Sequence, residues 1–249
     1  MFRELDPGRV IETIERLRDR IRERFPAAHL GQVADELVAL SRAHAARSAA
    51  IGRPDIALRA LSVGLIVVGV AGIALAAWLL HVESDPKWTV KDMIQTAESG
   101  LSALFFLGAG AVFTMTIELR NKRSRCLKAL HELRAMAHIV DMHQLTKDPD
   151  RLMNPGTDTP NSPQRSLTRF ELSRYLDYCS EMLSLMGKVA ALYGQNFPDS
   201  EARQGVDEIE DLTTSLARKI WQKIMILGES EREREPTGAE PAPPPLEAH

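Results

Sequence analysis

The chain has 249 residues and carries 31 Lys and Arg against 34 Asp and Glu, for a formal net charge of −3. That balance argues against a nucleic-acid-binding surface, which is normally clearly basic. Outside its two apolar runs the length suffices for one modest helical domain.

Residues 1–58 read as a helical hairpin. Asp6 is placed to cap a first helix and Pro7 suits its first turn. Val10, Ile14, Leu17, Ile21 and Phe25 recur at helical spacing until Phe25-Pro26 interrupts, and a second helix carries Leu30, Val33, Leu37 and Leu40 on one face.

Residues 60–80 and 99–117 contain no charged residue. At about 1.5 Å per helical residue each run matches a hydrocarbon core of about 30 Å. Lipid requires the backbone to satisfy its own hydrogen bonds, so both runs are predicted transmembrane helices within a membrane hairpin, 59–118, with a connecting loop over 81–98. Arg42, Arg47, Arg53 and Arg59 precede the first span, and Arg120, Lys122, Arg123, Arg125 and Lys128 follow the second. The loop holds only Lys87 and Lys91 beside four acidic residues. This asymmetry predicts both termini in the cytoplasm and the loop outside, with Trp78 and Trp88 at the outer interface. The first fifty residues lack the apolar core of a signal peptide, so the first span is expected to serve as an uncleaved insertion signal. An arginine- and alanine-rich composition points to a bacterial inner membrane. Cys126 and Cys179 would then both face a reducing compartment, where no structural disulfide is expected.

Helical character continues from the second span to about Lys147, with Cys126, Leu130, Leu133, Ala137 and Val140 in one stripe. A linker rich in Pro, Asp, Asn and Ser follows over 148–167. Thr168 and Glu171 have capping-box spacing. The helix they open is apolar on two faces, through Leu172, Leu176, Cys179, Leu183, Met186 and Ala190 and through Tyr175, Met182, Leu185, Val189 and Leu192. Such a helix is either deeply buried or shared with a partner. A last helix aligns Val206, Ile209, Leu216, Ile220, Ile224 and Leu227, and residues 228–249 read as a disordered tail. The predicted fold is all-α: a two-span transmembrane hairpin with a cytoplasmic helical bundle, or coiled coil, built from residues 1–58 and 119–227.

The densest group of site-capable side chains is His131, Arg134, His138 and Asp141, which share one helix face. The expectation is a structural polar network. A metal site through His131, His138 and Asp141, or an anion site through Arg134 and protonated histidine, ranks lower. The spacing is not HExxH, and Arg134 places a fixed positive charge inside the stripe. No cofactor is expected. Within the spans, Gly69, Gly72 and Ala76 line one face of the first, and Gly100, Ala103, Gly110 and Thr114 one face of the second, as small residues that let helices approach. Neither span contains an ionisable residue, which argues against pumps and ion-coupled transporters. Thr159-Pro160 and Ser162-Pro163 resemble phosphorylation sites, and the run from Pro241 a polyproline ligand.

The sequence supports best a non-enzymatic scaffold or sensor, with the lipid bilayer and a protein partner or a second copy as its contacts. The alternative is an oligomeric pore-forming effector. Its two-span layout resembles, in architecture alone, the effectors of bacterial nucleotide-activated defence systems. A metal-dependent enzyme centred on His138 is the third reading.

Overall fold

The computed structural model describes residues 4–82, 89–147, 149, 160 and 167–232. Among them there are six long helices and no strand: α1 (Pro7–Arg24), α2 (Leu30–Gly52), α3 (Ile56–Val82), α4 (Val90–Leu145), α5 (Arg169–Asn196) and α6 (Ser200–Arg232). The chain divides into one unit of Met1–Ser48 with Lys128–His249 and a second of Ala49–Leu127. Most of linker 148–167 and the tail from residue 233 lie outside the described residues, as do Thr159, Ser162 and Pro241.

In the first unit, local chemistry sets the helix ends. Asp6 Oδ1 accepts from Gly8 N–H at 2.8 Å, and Pro7 opens α1. Val10, Ile14, Leu17 and Ile21 form its buried face, and Phe25 closes it edge-on to Tyr175 and Tyr178 of α5. Arg22–Asp35 and Arg42–Glu15 tie α1 to α2, while Arg20–Glu181 ties it to α5. These pairs are largely exposed and set register more than stability. The first half of α2 buries Leu30, Val33, Ala34, Leu37 and Val38, whereas Leu40 is half-buried.

Helix α5 carries the capping box, with Thr168 Oγ1 accepting from Glu171 N–H and Glu171 from Thr168 N–H. Both of its apolar stripes are buried within this single chain, so neither depends on a partner subunit for cover. Asp199 Oδ1 accepts from Ala202 N–H at the start of α6, which buries Val206, Ile209, Thr213, Leu216, Ile220 and Leu227 against α5. A Cβ on Gly187 would lie 3.2 Å from Thr213 Oγ1, so this glycine permits the close approach of the two helices. The last helix runs to Arg232, past the point at Gly228 where the sequence placed the start of a disordered tail.

In the second unit, two helical stretches, in α3 and in α4, are long and apolar enough to cross a membrane. Helix α4 begins at Val90, inside the expected loop 81–98. The charges of Lys91, Asp92 and Glu98 end the apolar run, but no Gly or Pro over 90–98 breaks a helix. Ser62 and Thr114 hydroxyls are 2.7 Å apart, and Thr114 Oγ1 also reaches Ala111 O at 2.9 Å, so a Ser62-to-Thr114-to-carbonyl chain satisfies both.

The predicted packing glycines and alanines divide. A Cβ on Gly69 would overlap the Leu107 side chain, and one on Gly110 would lie 2.7 Å from Leu65 Cδ2. Gly72 and Gly100 have nothing within 4 Å of that position, Ala76 is exposed and Ala103 half-buried. The α3 side of the contact runs through Leu58, Ser62, Gly69 and Ile73, so Gly72 is rotated off it. Gly69→Leu should therefore cost about 1–3 kcal/mol by overpacking, while Gly72→Leu leaves the α3–α4 contact intact. Thermal unfolding of both variants in detergent checks this. Equal melting temperatures would contradict the assignment.

Candidate functional site

The buried face of α2 does not end at Val38. It continues at helical spacing through Ser41, His44 and Ser48, all with no more than 1% exposure. Polar groups buried so deeply must find partners or destabilise the fold. Ser41 Oγ donates to Leu37 O at 2.7 Å. Ser48 Oγ donates to Leu192 O of α5 at 2.7 Å and accepts from Asn196 Nδ2 at 2.8 Å. His44 Nδ1 stands 2.9 Å from the Tyr193 hydroxyl, with the rings edge to face.

The other imidazole nitrogen points at α4. His44 Nε2 lies 3.5 Å from Glu132 Oε2, without a hydrogen bond. Glu132 is paired with Arg47 at 2.7 Å, and the hydrogen bond from that guanidinium holds its carboxyl below the usual carboxylate range. Burial, and then the charge of Arg47, push His44 down to about 4 against the pull of Glu132. The imidazole is therefore neutral at pH 7. Glu132 on the Nε2 side favours the tautomer in which Nε2 carries the proton and Nδ1 accepts from Tyr193. His44, Ser48, Tyr193, Asn196 and Glu132 thus link α2, α4 and α5 through one polar cluster. Its Tyr–His–Glu order has the form of a proton relay, but Tyr193 and His44 have no exposed surface. The arrangement orients helices. It offers no reacting atom to a substrate.

A second cluster lies at the end of α4. Lys223 Nζ donates to Gln144 Oε1 at 2.7 Å and to the carbonyls of Gln144 and Lys147 at 3.1 and 3.3 Å. An α6 ammonium thereby satisfies carbonyls at the negative end of α4. Gln144 Nε2 in turn donates to Asp141 Oδ1 at 2.7 Å. Nearby Cys179 is fully buried, and burial pushes its thiol up to about 12, so it is unreactive at neutral pH.

The sequence-predicted quartet is placed differently from expectation. Arg134 pairs with Glu208 of α6 at 2.6 Å, Asp141 is half-buried against Gln144, and His131 and His138 are exposed. No hydrogen bond or ion pair joins any of the four to another among the described residues. They share a face, but that face is the outer edge of the buried stripe of Leu133, Ala137 and Val140. Among the described residues no three His, Cys, Asp or Glu side chains converge to hold a metal. Comparison with protein-family models, with curated proteins and with solved structures finds no match for this chain.

Two outcomes follow from these geometries. His44 sits below its unfolded pKa of 6.5, facing Arg47 on its own helix, Glu132 on α4, and Tyr193 on α5. The unfolded chain binds the proton first, so the neutral-histidine contribution is complete above pH 6.5 and is lost as pH falls towards about 4. The slope is about 1.4 kcal/mol per pH unit and the total about 3 kcal/mol. Subtracting the pH–stability profile of His44→Gln from that of the wild type isolates this loss, and superimposable profiles would contradict it. Separately, Tyr193→Phe should cost about 1–3 kcal/mol by stranding a buried acceptor, against about 1 kcal/mol for Asp141→Ala. Denaturant unfolding of the two variants checks the order.

Proposed function

We propose that this chain is an integral inner-membrane protein whose α3 and α4 cross the bilayer as a hairpin, with both termini cytoplasmic and the connection between the helices outside. The helices of the first unit form a cytoplasmic bundle that works as a non-enzymatic scaffold or sensor, binding a protein partner or a second copy. The observation that carries the membrane reading is exposure. Leu101, Phe105, Phe106, Val112, Phe113 and Met115 on α4 are 64–72% exposed, and α3 likewise exposes Leu61, Val63, Val67, Val68 and Val70. In water a monomer rarely tolerates a contiguous apolar surface of this extent, whereas in lipid it is the solvated state. The Arg and Lys excess beside Arg53 and Arg125 supports the orientation.

Self-association is favoured by a second ridge. Gly64, Val68, Gly72 and Ala76 follow one another at four-residue steps on α3, all exposed, and neither glycine has a neighbour near its Cβ position. A second hairpin can approach there as closely as α4 does at Gly69. An oligomeric pore is the alternative form of this assembly. Ser62 and Thr114 give it no lining, because they are turned towards each other, which leaves Ser99, Ser102 and Thr116 as the exposed hydroxyls of the two spans among the described residues.

Reporter fusions at Met1, beside Trp88 and at His249 should read cytoplasm, exterior and cytoplasm. An exterior signal from either terminus would overturn the topology. Gly72→Leu, which spares the α3–α4 contact, should lower the oligomer mass in mild detergent if the ridge joins two copies. An unchanged mass leaves the ridge to lipid.

A further inference from the structure

The place where α3 starts lies against the point on α4 where the apolar surface ends. Asp55 N–H donates to Glu118 Oε1 at 3.1 Å, Lys122 Nζ stands 2.9 Å from the same oxygen, and Arg59 Nε lies 3.7 Å from Oε2. The Glu118 side chain is 13% exposed and that of Lys122 17%, so this clamp is a built feature. Asp55 Oδ1 also caps α3 through Leu58 N–H. The anions Asp55 and Glu118 are outnumbered by four cations, because Arg53 and Arg125 border the clamp as well. Both are exposed, and neither guanidinium has a partner among the described residues.

Chain geometry puts these two arginines at the clamp. Consecutive Cα atoms are about 3.8 Å apart, so Arg53 stands within about 7.6 Å of Asp55. Arg125 follows Glu118 by seven residues, which returns it to within about 20° of the same helix face, about 10.5 Å further along the axis. Exposed apolar surface starts immediately on the other side of the clamp, at Ile56 on α3 (78% exposed) and Met115 on α4 (69%). Cations next to an apolar wall fit a ligand that has an anionic head and a hydrocarbon body.

We infer that the Glu118 clamp, with Arg53 and Arg125 at its edges, is a binding site for the phosphodiester headgroup of an anionic phospholipid. Glu118 holds Arg59 and Lys122 in place, and the two unpartnered guanidinia supply the planar donor forks suited to phosphate oxygens. The apolar surface beside them receives the acyl chains, which selects a lipid over a free anion. A phosphatidylcholine headgroup carries its own cation and meets four positive charges, so the site discriminates against it.

The inference rests on the reading that α3 and α4 lie in a bilayer. The test is native mass spectrometry of the full chain in detergent, titrated with phosphatidylglycerol, phosphatidylcholine or inorganic phosphate. Phosphatidylglycerol should bind more tightly than phosphatidylcholine. Its affinity should fall about thirtyfold in the double variant Arg53→Gln/Arg125→Gln, at about one surface-charge increment per arginine. Arg120→Gln, on the opposite side of α4, should keep the preference. Equal binding of the two lipids, an equal loss in Arg120→Gln, or inorganic phosphate binding as tightly as phosphatidylglycerol would each overturn the assignment. Carbonate extraction of membranes from cells that produce the chain separates the two claims. Release of the protein contradicts the membrane reading itself, whereas retention without lipid preference contradicts this site alone.

Discussion

Two long apolar stretches, 60–80 in α3 and 99–117 in α4, turn most of their apolar side chains outward, and this constrains the whole chain. Over 60–80 and 99–117 no ionisable side chain interrupts the surface, and the hydroxyls of Ser62 and Thr114 are satisfied between the helices or on their own backbones. Charge is displaced to the ends, where Glu118 gathers Asp55 N–H, Arg59 and Lys122 into one clamp. In the proposed bilayer, side-chain packing between α3 and α4 has to come from shape, since lipid gives no hydrophobic drive for helices to associate. The close fits of Leu107 over Gly69 and Leu65 over Gly110 supply it.

The first unit solves the opposite problem. Its amphipathic helices bury their stripes within the chain, with α5 covered on two faces. A core made only of such stripes would leave the rotation and register of α2 weakly specified. The buried cluster of His44, Ser48, Tyr193, Asn196 and Glu132 fixes both, because His44 Nδ1 meets the Tyr193 hydroxyl and Ser48 Oγ meets Leu192 O and Asn196 Nδ2 only in this arrangement. Desolvation of His44 makes this specificity sensitive to acid.

How far these features were legible in the sequence follows from the range of each interaction. Asp6 with Pro7 and Thr168 with Glu171 act within one helical turn, and the structure shows both caps. The apolar stripes of α1 and α5 were equally readable. The start of α4 was not, since charge at Lys91 and Asp92 marks the edge of the apolar run and says nothing about the helix. His44 escaped because the α2 stripe turns polar after Val38 and its partner Tyr193 lies 149 residues away. What could have found it is the continuation of helical spacing from Leu37 through Ser41, His44 and Ser48. The His131–Asp141 group misled for the complementary reason. Four site-capable residues on one helix face suggest a network, but Arg134 reaches a carboxylate on another helix and both histidines are exposed.

The proposed membrane anchorage is tested most directly by the solvent around the middle of each apolar helix. Single nitroxide labels at Val70 and Phe106, in protein reconstituted into lipid with Cys126 and Cys179 replaced by alanine, report collisions with oxygen and with a water-soluble nickel chelate. Oxygen should reach both labels and the nickel chelate neither. Ready collision with nickel at both positions would show that α3 and α4 lie in water, and would contradict the proposed anchorage.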